Sequence, residues 1–179
     1  MNASAFLFMK NFATERLILR LYAEKDKTDF LELFADKAVM KHVDKGVLAR
    51  KQAENLWQKL FDEFYSKGLT GLWAVFAKDN RRFVGHATFR PRPEIKDDWE
   101  IGYILKQAEW QKGFATEIAA KLIELGFGKL NLPEIFATVD DDNFASIRVL
   151  EKAGMSFKRY EFDEQGRFSV YSIRRIERQ

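Results

Sequence analysis

Trp110-Gln111-Lys112-Gly113-Phe114-Ala115-Thr116-Glu117 is the stretch on which the fold is decided. It follows a strand-like run, Asp98 to Leu105, and opens an amphipathic run, Phe114 to Lys129, with Ala115, Ile118, Ala119, Leu122, Ile123 and Gly126 on one side. Small residues at Gly113 and Ala115 let a ligand approach the main chain. Successive N–H groups at a helix N-terminus, with the positive end of the helix dipole behind them, attract an anion. Lys112 adds a full charge and Thr116 a hydroxyl. A glycine at a strand–helix junction is also ordinary turn chemistry, so this stretch needs its surroundings.

Downstream, Ile135 to Val139 reads as a strand after Pro133, and Asn143 to Ala153 as a helix closed by Gly154. Met155 to Phe162 and Phe168 to Ile173 form a last hairpin about Asp163-Glu164-Gln165-Gly166. Upstream, Leu72 to Ala77 and Phe83 to Phe89 pair across the turn Lys78-Asp79-Asn80, and Arg90-Pro91-Arg92-Pro93 breaks the sheet. Ala49 to Lys67 carries one apolar stripe, Ala53, Leu56, Trp57, Leu60, Phe61, Phe64 and Tyr65, which predicts a single helix packed on a core. Thr28 can cap a helix whose face is Phe30, Leu31, Leu33 and Phe34, and Asp36 to His42 reads as a second short helix. Arg16 to Leu21 is the first clear strand; residues 1–13 are an N-terminal extension or contribute a strand before it. The order is strand, helices, three strands, helix, strand, helix, two strands. It predicts one mixed α/β (α+β) domain over 14–179.

Composition limits the chemistry. The chain has 179 residues, no cysteine and two histidines, so thiol nucleophiles, disulfides and Cys-ligated metals are excluded. His42 and His86 match neither HExxH nor HxH spacing, and no metal site is expected. The net charge is +3 without a block of basic residues, which gives no nucleic-acid patch. No run approaches the roughly 18 apolar residues of a membrane span, and the start lacks a signal-peptide pattern, so a cytoplasmic protein is expected. GxxxxGK[ST] and GxGxxG are both absent; Gly126-Phe127-Gly128 ends a helix instead of opening one.

Three segments now stand together at consistent spacing: Glu100-Ile101-Gly102-Tyr103, Trp110 to Glu117, and Asn143 to Gly154 with Ser146 and Leu150 inside it. With the opening Thr14-Glu15-Arg16-Leu17, they resemble the GCN5-related N-acetyltransferase (GNAT) superfamily, and within it the ribosomal-protein N-terminal (Ser/Ala) acetyltransferase branch, over about residues 14 to 175. The resemblance implies a twisted, mostly antiparallel mixed sheet of about 6–7 strands with helices on both faces. It further implies a splayed parallel pair, here 98–105 and 135–139. Acetyl-CoA would be the co-substrate and a primary amine, on a protein N-terminus or a small molecule, the acceptor. The pyrophosphate would sit on Gln111, Lys112, Gly113, Phe114, Ala115 and Thr116, the pantetheine arm along Ile104 and Leu105 and against Asn143, and the 3′-phosphate near Arg148. Transfer is direct, with Glu100 the candidate base, directly or through water, Ser146 as proton donor or stabiliser of the leaving thiolate, and Asn143 ordering the site. Many family members place a Tyr seven residues after the Asn; here Leu150 stands there, so that role is not carried over. Tyr103 either approaches the thioester or packs in the core, and Asp140-Asp141-Asp142 reads as a solvated turn. Monomer and homodimer stay open. A non-catalytic acyl-CoA-binding module on the same fold, or a nucleotide-binding protein using the Gly113 loop, is the rival reading.

Overall fold

The computed structural model describes residues 10–43, 46–67, 71–92, 98–164 and 166–176. Parts of the expected 1–13 extension, of the 91–97 turn and of the last hairpin loop lie outside them. Eight strands make one sheet: β1 (Asn11–Ala13), β2 (Leu17–Arg20), β3 (Leu72–Ala77), β4 (Phe83–Pro91), β5 (Trp99–Leu105), β6 (Glu134–Asp140), β7 (Ser156–Asp163) and β8 (Gly166–Arg174). Their order is β1-β2-β3-β4-β5-β6-β8-β7. Every neighbouring pair is antiparallel except β5 and β6, which run parallel. The strand beyond the expected number is β1, a three-residue edge strand registered Phe12 to Leu19.

Side-chain alternation divides the helices between the two faces. Leu17, Leu19, Trp73, Val75 and Ala77 point to one face, where α3 (Phe114–Gly128) and α4 (Phe144–Lys152) pack. Ala74 and Phe76, the alternate residues of β3, point to the other, beneath α1 (Lys27–Ala35) and α2 (Arg50–Lys59). Burying both faces is what a central sheet with two apolar surfaces requires. On α3, a Cβ added at Gly126 would lie 2.5 Å from Ile135 Cδ1 and 2.8 Å from Phe89 Cζ, so the missing side chain sets how closely this helix sits on the sheet.

Four local expectations are corrected. The stripe from Ala53 to Tyr65 is not one α-helix: α2 ends at Lys59, and Leu60–Tyr65 continues as a π-helical turn. That extra residue per turn moves Phe61 and Tyr65 against the Trp57 cluster, with Trp57 and Phe61 ring centroids 4.9 Å apart. Asp36 to His42 supplies only a 3₁₀ turn, Val39–His42. Thr28 is not the cap of α1. The helix begins after Asp26, whose carboxylate accepts from the Ala23 amide at 2.8 Å and both terminal nitrogens of Arg20 at 2.6 and 2.8 Å. Finally, the prolines do not end β4 at Phe89. Pro91 still registers with Trp99, while β3 begins only opposite Thr88, so the N–H that Pro91 lacks has no neighbour to serve on that side.

His86, in β4, is structural as its mid-strand position suggests. It is buried, its Nδ1 shares a 3.0 Å hydrogen bond with the Tyr22 hydroxyl, and burial, with Arg90's charge adding, pushes its pKa down to about 4. An unfolded histidine binds its proton near pH 6.5, so between that pH and about 4 the unfolded chain holds one proton more than the folded one. Stability therefore falls as the pH drops through this window, by roughly 1.4 kcal/mol per unit at its steepest. Urea unfolding at pH 7 and pH 5 checks the slope, which His86→Gln should flatten.

Candidate active site

β5 and β6 share a single register pair, Glu100 with Phe136, and part beyond it. β5 keeps its full ladder to β4 from Pro91–Trp99 to Gly85–Leu105, and β6 its full ladder to β8. The side of β5 that faces β6 thus carries backbone groups without a partner strand over its C-terminal half, those of Tyr103 and the amide of Leu105, whereas Ile104, expected at this edge, turns its own toward β4 opposite His86; such an edge is one that an extended amide chain can join. At Leu105 the carbonyl accepts the Trp110 indole N–H at 2.9 Å, a contact not foreseen from the sequence.

The 110–117 segment turns as its glycine suggests. Gln111 has φ 60° and Gly113 φ 80°, and α3 starts directly after Gly113. Among the described residues, no backbone carbonyl accepts from the amides of Gln111 to Thr116; the first amide to be paired is that of Glu117, to Gly113 O at 3.1 Å. These six N–H groups form an anion cradle at the positive end of a 15-residue helix. Phe114 is buried beneath the Arg16 guanidinium, 4.7 Å from the ring centroid.

What holds the cradle comes from far away in the chain. Arg16 donates to Lys112 O at 2.9 Å and pairs with Glu117, whose carboxylate also accepts from Thr14 Oγ1 and from the Arg16 amide at 2.8 Å. Burial works upward on the Glu117 carboxyl, but these donors outweigh it and hold it below its ordinary range. The Thr14-Glu15-Arg16-Leu17 opening thereby acquires a physical role: it clamps the start of α3. Glu109 was missed by sequence reasoning. It is buried, accepts Arg82 Nε at 3.0 Å and Lys112 Nζ at 3.1 Å, and is likewise held low by these cations against its burial. Lys112 therefore shares its charge with Glu109 instead of offering all of it to a ligand. Arg148 is exposed on α4.

On the α3/α4 side of the opening, the Tyr103 and Ser146 hydroxyls lie 2.9 Å apart. The Tyr103 ring packs against the core, and burial pushes its pKa up to about 12 despite the Ser146 contact, so it stays protonated at neutral pH. Of the two alternatives for Tyr103, the packed ring is observed, and its hydroxyl meets Ser146. Asn143 caps α4, accepting the Ser146 amide at 3.1 Å through its side chain, and so fixes the turn on which Ser146 stands. On the opposite side of the sheet, Glu100 accepts from Thr138 Oγ1 at 2.5 Å, and its other oxygen is 3.8 Å from Arg92 Nε. Arg92 is itself paired with Glu161.

Asp140 to Asp142 leads into a turn open to solvent, as expected, with its carboxylates nonetheless partnered. Asp141 accepts from Ser169 Oγ at 2.6 Å and Arg167 Nε at 2.7 Å, while Asp140 and Asp142 approach His42 Nδ1 at 3.2 and 3.4 Å. His42, Asp140 and Asp142 each bring one oxygen or nitrogen within 4.8 Å of the others, a grouping that sequence spacing did not reveal. No helix among the described residues is long and apolar enough to cross a membrane.

Comparison with known proteins gives the same answer from a separate direction. The model of the acetyltransferase (GNAT) domain matches residues 16–156. An uncharacterised N-acetyltransferase of Bacillus subtilis (strain 168), YnaD, is 30% identical over 145 residues, covering 81% of this chain and 82% of that one. A GNAT-family acetyltransferase structure from Bacillus anthracis superposes with a TM-score of 0.78 at 27% identity, over 92% of this chain and 98% of that one. A spermidine N-acetyltransferase from Vibrio cholerae, solved with CoA and spermine, shares the fold with a TM-score of 0.72 at 17% identity, over 88% of this chain and 95% of that one. The opening strand pair, the amide cradle and these matches together mean that the chain belongs to the GNAT acetyltransferase family and is an acetyl-CoA-dependent N-acetyltransferase.

Proposed function

We propose that the protein transfers the acetyl group of acetyl-CoA to a primary amine, on a protein N-terminus or a small molecule, by direct attack in the opening between β5 and β6. The parting of these strands after Glu100–Phe136 carries the reading. It leaves a strand edge for the pantetheine amides at Tyr103 and Leu105, on either side of Ile104, and it ends at the cradle of Gln111, Lys112, Gly113, Phe114, Ala115 and Thr116, where the pyrophosphate is placed. Arg148 is within the surface available to the 3′-phosphate. The amine approaches from the side of Glu100, whose carboxylate attracts and orients it. As the amine nitrogen bonds to the acetyl carbon, the carbon–sulfur bond breaks. The Tyr103–Ser146 hydroxyl pair, positioned by Asn143, delivers a proton to the departing sulfur. The amine surrenders one proton in the same exchange, so the enzyme ends as it began.

An acceptor panel tests the proposal: spermine, paromomycin, free amino acids and short peptides beginning with Ser or Ala, each incubated with acetyl-CoA. Thiol release and a 42-Da mass increase on one member are expected. Spermine enters because the Vibrio cholerae structure contains it. Stabilisation by acetyl-CoA without turnover of any amine would favour a non-catalytic binding module. Stabilisation by ATP alone would overturn the reading.

A further inference from the structure

Resting on the acetyl-transfer reading, we infer that His42, held by Asp140, is the base that takes the proton from the acceptor amine. Three observations carry this. First, the row of polar groups on one sheet face is continuous. Glu100 and Thr138 touch across the parted strands, and Asp140 follows Thr138 by two residues, on the same face and about 6–7 Å along β6. Ala137 and Val139, between and beside them, point the other way into the α3/α4 core. His42 reaches this row from the 3₁₀ turn after α1, so a half-buried imidazole stands at the acceptor side of the opening, with its side chain 21% exposed.

Second, the imidazole is oriented through one nitrogen. Nδ1 faces Asp140 Oδ2 at 3.2 Å and Asp142 Oδ1 at 3.4 Å. A carboxylate accepts only, so Nδ1 carries a hydrogen, and in the neutral ring Nε2 then holds the lone pair. This is the arrangement by which a carboxylate fixes the tautomer of a histidine base. The charged groups about the ring are Asp140 and Asp142 from the end of β6 and Lys41 beside it, whose Nζ is 3.9 Å from Asp142.

Third, Glu100 is poorly placed for the same task. One of its oxygens already accepts from the Thr138 hydroxyl and the other lies 3.8 Å from Arg92 Nε, so both are engaged by protein groups. The two groups thus divide the work: Glu100 draws in the ammonium and His42 deprotonates it. The balance closes: the first proton of the ammonium passes to Nε2 and on to solvent, the nitrogen loses a second as the carbon–sulfur bond breaks, and that proton, by way of solvent, restores the Tyr103–Ser146 pair, which has given one to the sulfur.

The chain's two histidines make the test direct. In uniformly ¹⁵N-histidine-labelled protein, long-range ¹⁵N–¹H spectra should show the neutral His42 with its hydrogen on Nδ1, and Asp140→Asn should redistribute it. An Nε2–H tautomer overturns the inference. In kinetics with the best amine of the panel, His42→Gln should lower kcat about 10²-fold or more. It should abolish the rise of kcat/KM with pH and leave the acetyl-CoA dissociation constant within twofold. Asp140→Asn, a positioning change, should lower kcat less and displace the same pH limb, and Glu100→Gln should chiefly raise KM for the amine. A His42→Gln variant that melts normally and keeps kcat within threefold overturns the role of His42 and leaves the acetyl-transfer reading intact. Wild-type protein that acetylates nothing overturns both. Micromolar Zn²⁺ that shifts the His42 nitrogens and raises activity would make the cluster a metal site instead of a base.

Discussion

Tyr103→Phe should lower kcat about 10²-fold and leave the KM for acetyl-CoA within about twofold, because a positioned proton donor acts on the departing sulfur and not on cofactor binding. The Tyr103 and Ser146 hydroxyls are 2.9 Å apart, so Ser146→Ala should have a similar effect. The two hydroxyls act as one relay. The double variant should then be little worse than the more damaged single, whereas independent contributions would multiply. Steady-state thiol release for the four proteins checks this. Multiplicative losses, or a single variant with unchanged kcat, would separate the two residues. The assignment matters because Leu150 stands where many relatives carry their tyrosine; the proton must come from elsewhere, and a phenol whose pKa is pushed up to about 12 holds one at every physiological pH.

Gly113→Val should lower acetyl-CoA affinity about 30-fold or more, measured by calorimetry. Gly113 has φ 80°, a conformation that costs an L-residue about 1–2 kcal/mol, and relaxing it would rotate the amides of the cradle out of alignment. A Cβ there also comes 3.3 Å from Arg16 Nη2, the nitrogen paired with Glu117 Oε2. Gly113→Ala should show a smaller loss of the same kind. A Val variant with wild-type affinity would mean that the anion does not use these amides.

The parts of this architecture that the sequence discloses are the local ones. The glycine turn before Phe114, the Asn143 cap and the Gly154 stop (φ 88°) each act within a few residues, so spacing alone exposes them. β1 stands only as one of two alternatives, because a three-residue edge strand has too little alternation to register. The π turn escaped because it shifts an apolar stripe without removing it, and the stripe reads as a continuous helix either way. Contacts across long separations were invisible in principle. Arg16 meets Glu117 101 residues on, and His42 meets Asp140 98 residues on. Glu109 looks like any surface carboxylate until Arg82 is folded over it. Hence the turns and the cap, built on adjacent residues, are legible, and the His42–Asp140 contact, assembled from a 3₁₀ turn and a distant strand, is not.

The strand order has a consequence for how the molecule is made. β8 lies between β6 and β7, so the β6 wall of the opening lacks its partner until the chain has been synthesised through Arg174. A ribosome-bound intermediate can complete the β2–β5 meander and dock α1 and α2, yet one edge of β6 stays open to foreign strands throughout. Activity should therefore switch on late, as the hairpin folds back, and a chain stalled before residue 166 would be both inactive and prone to aggregate.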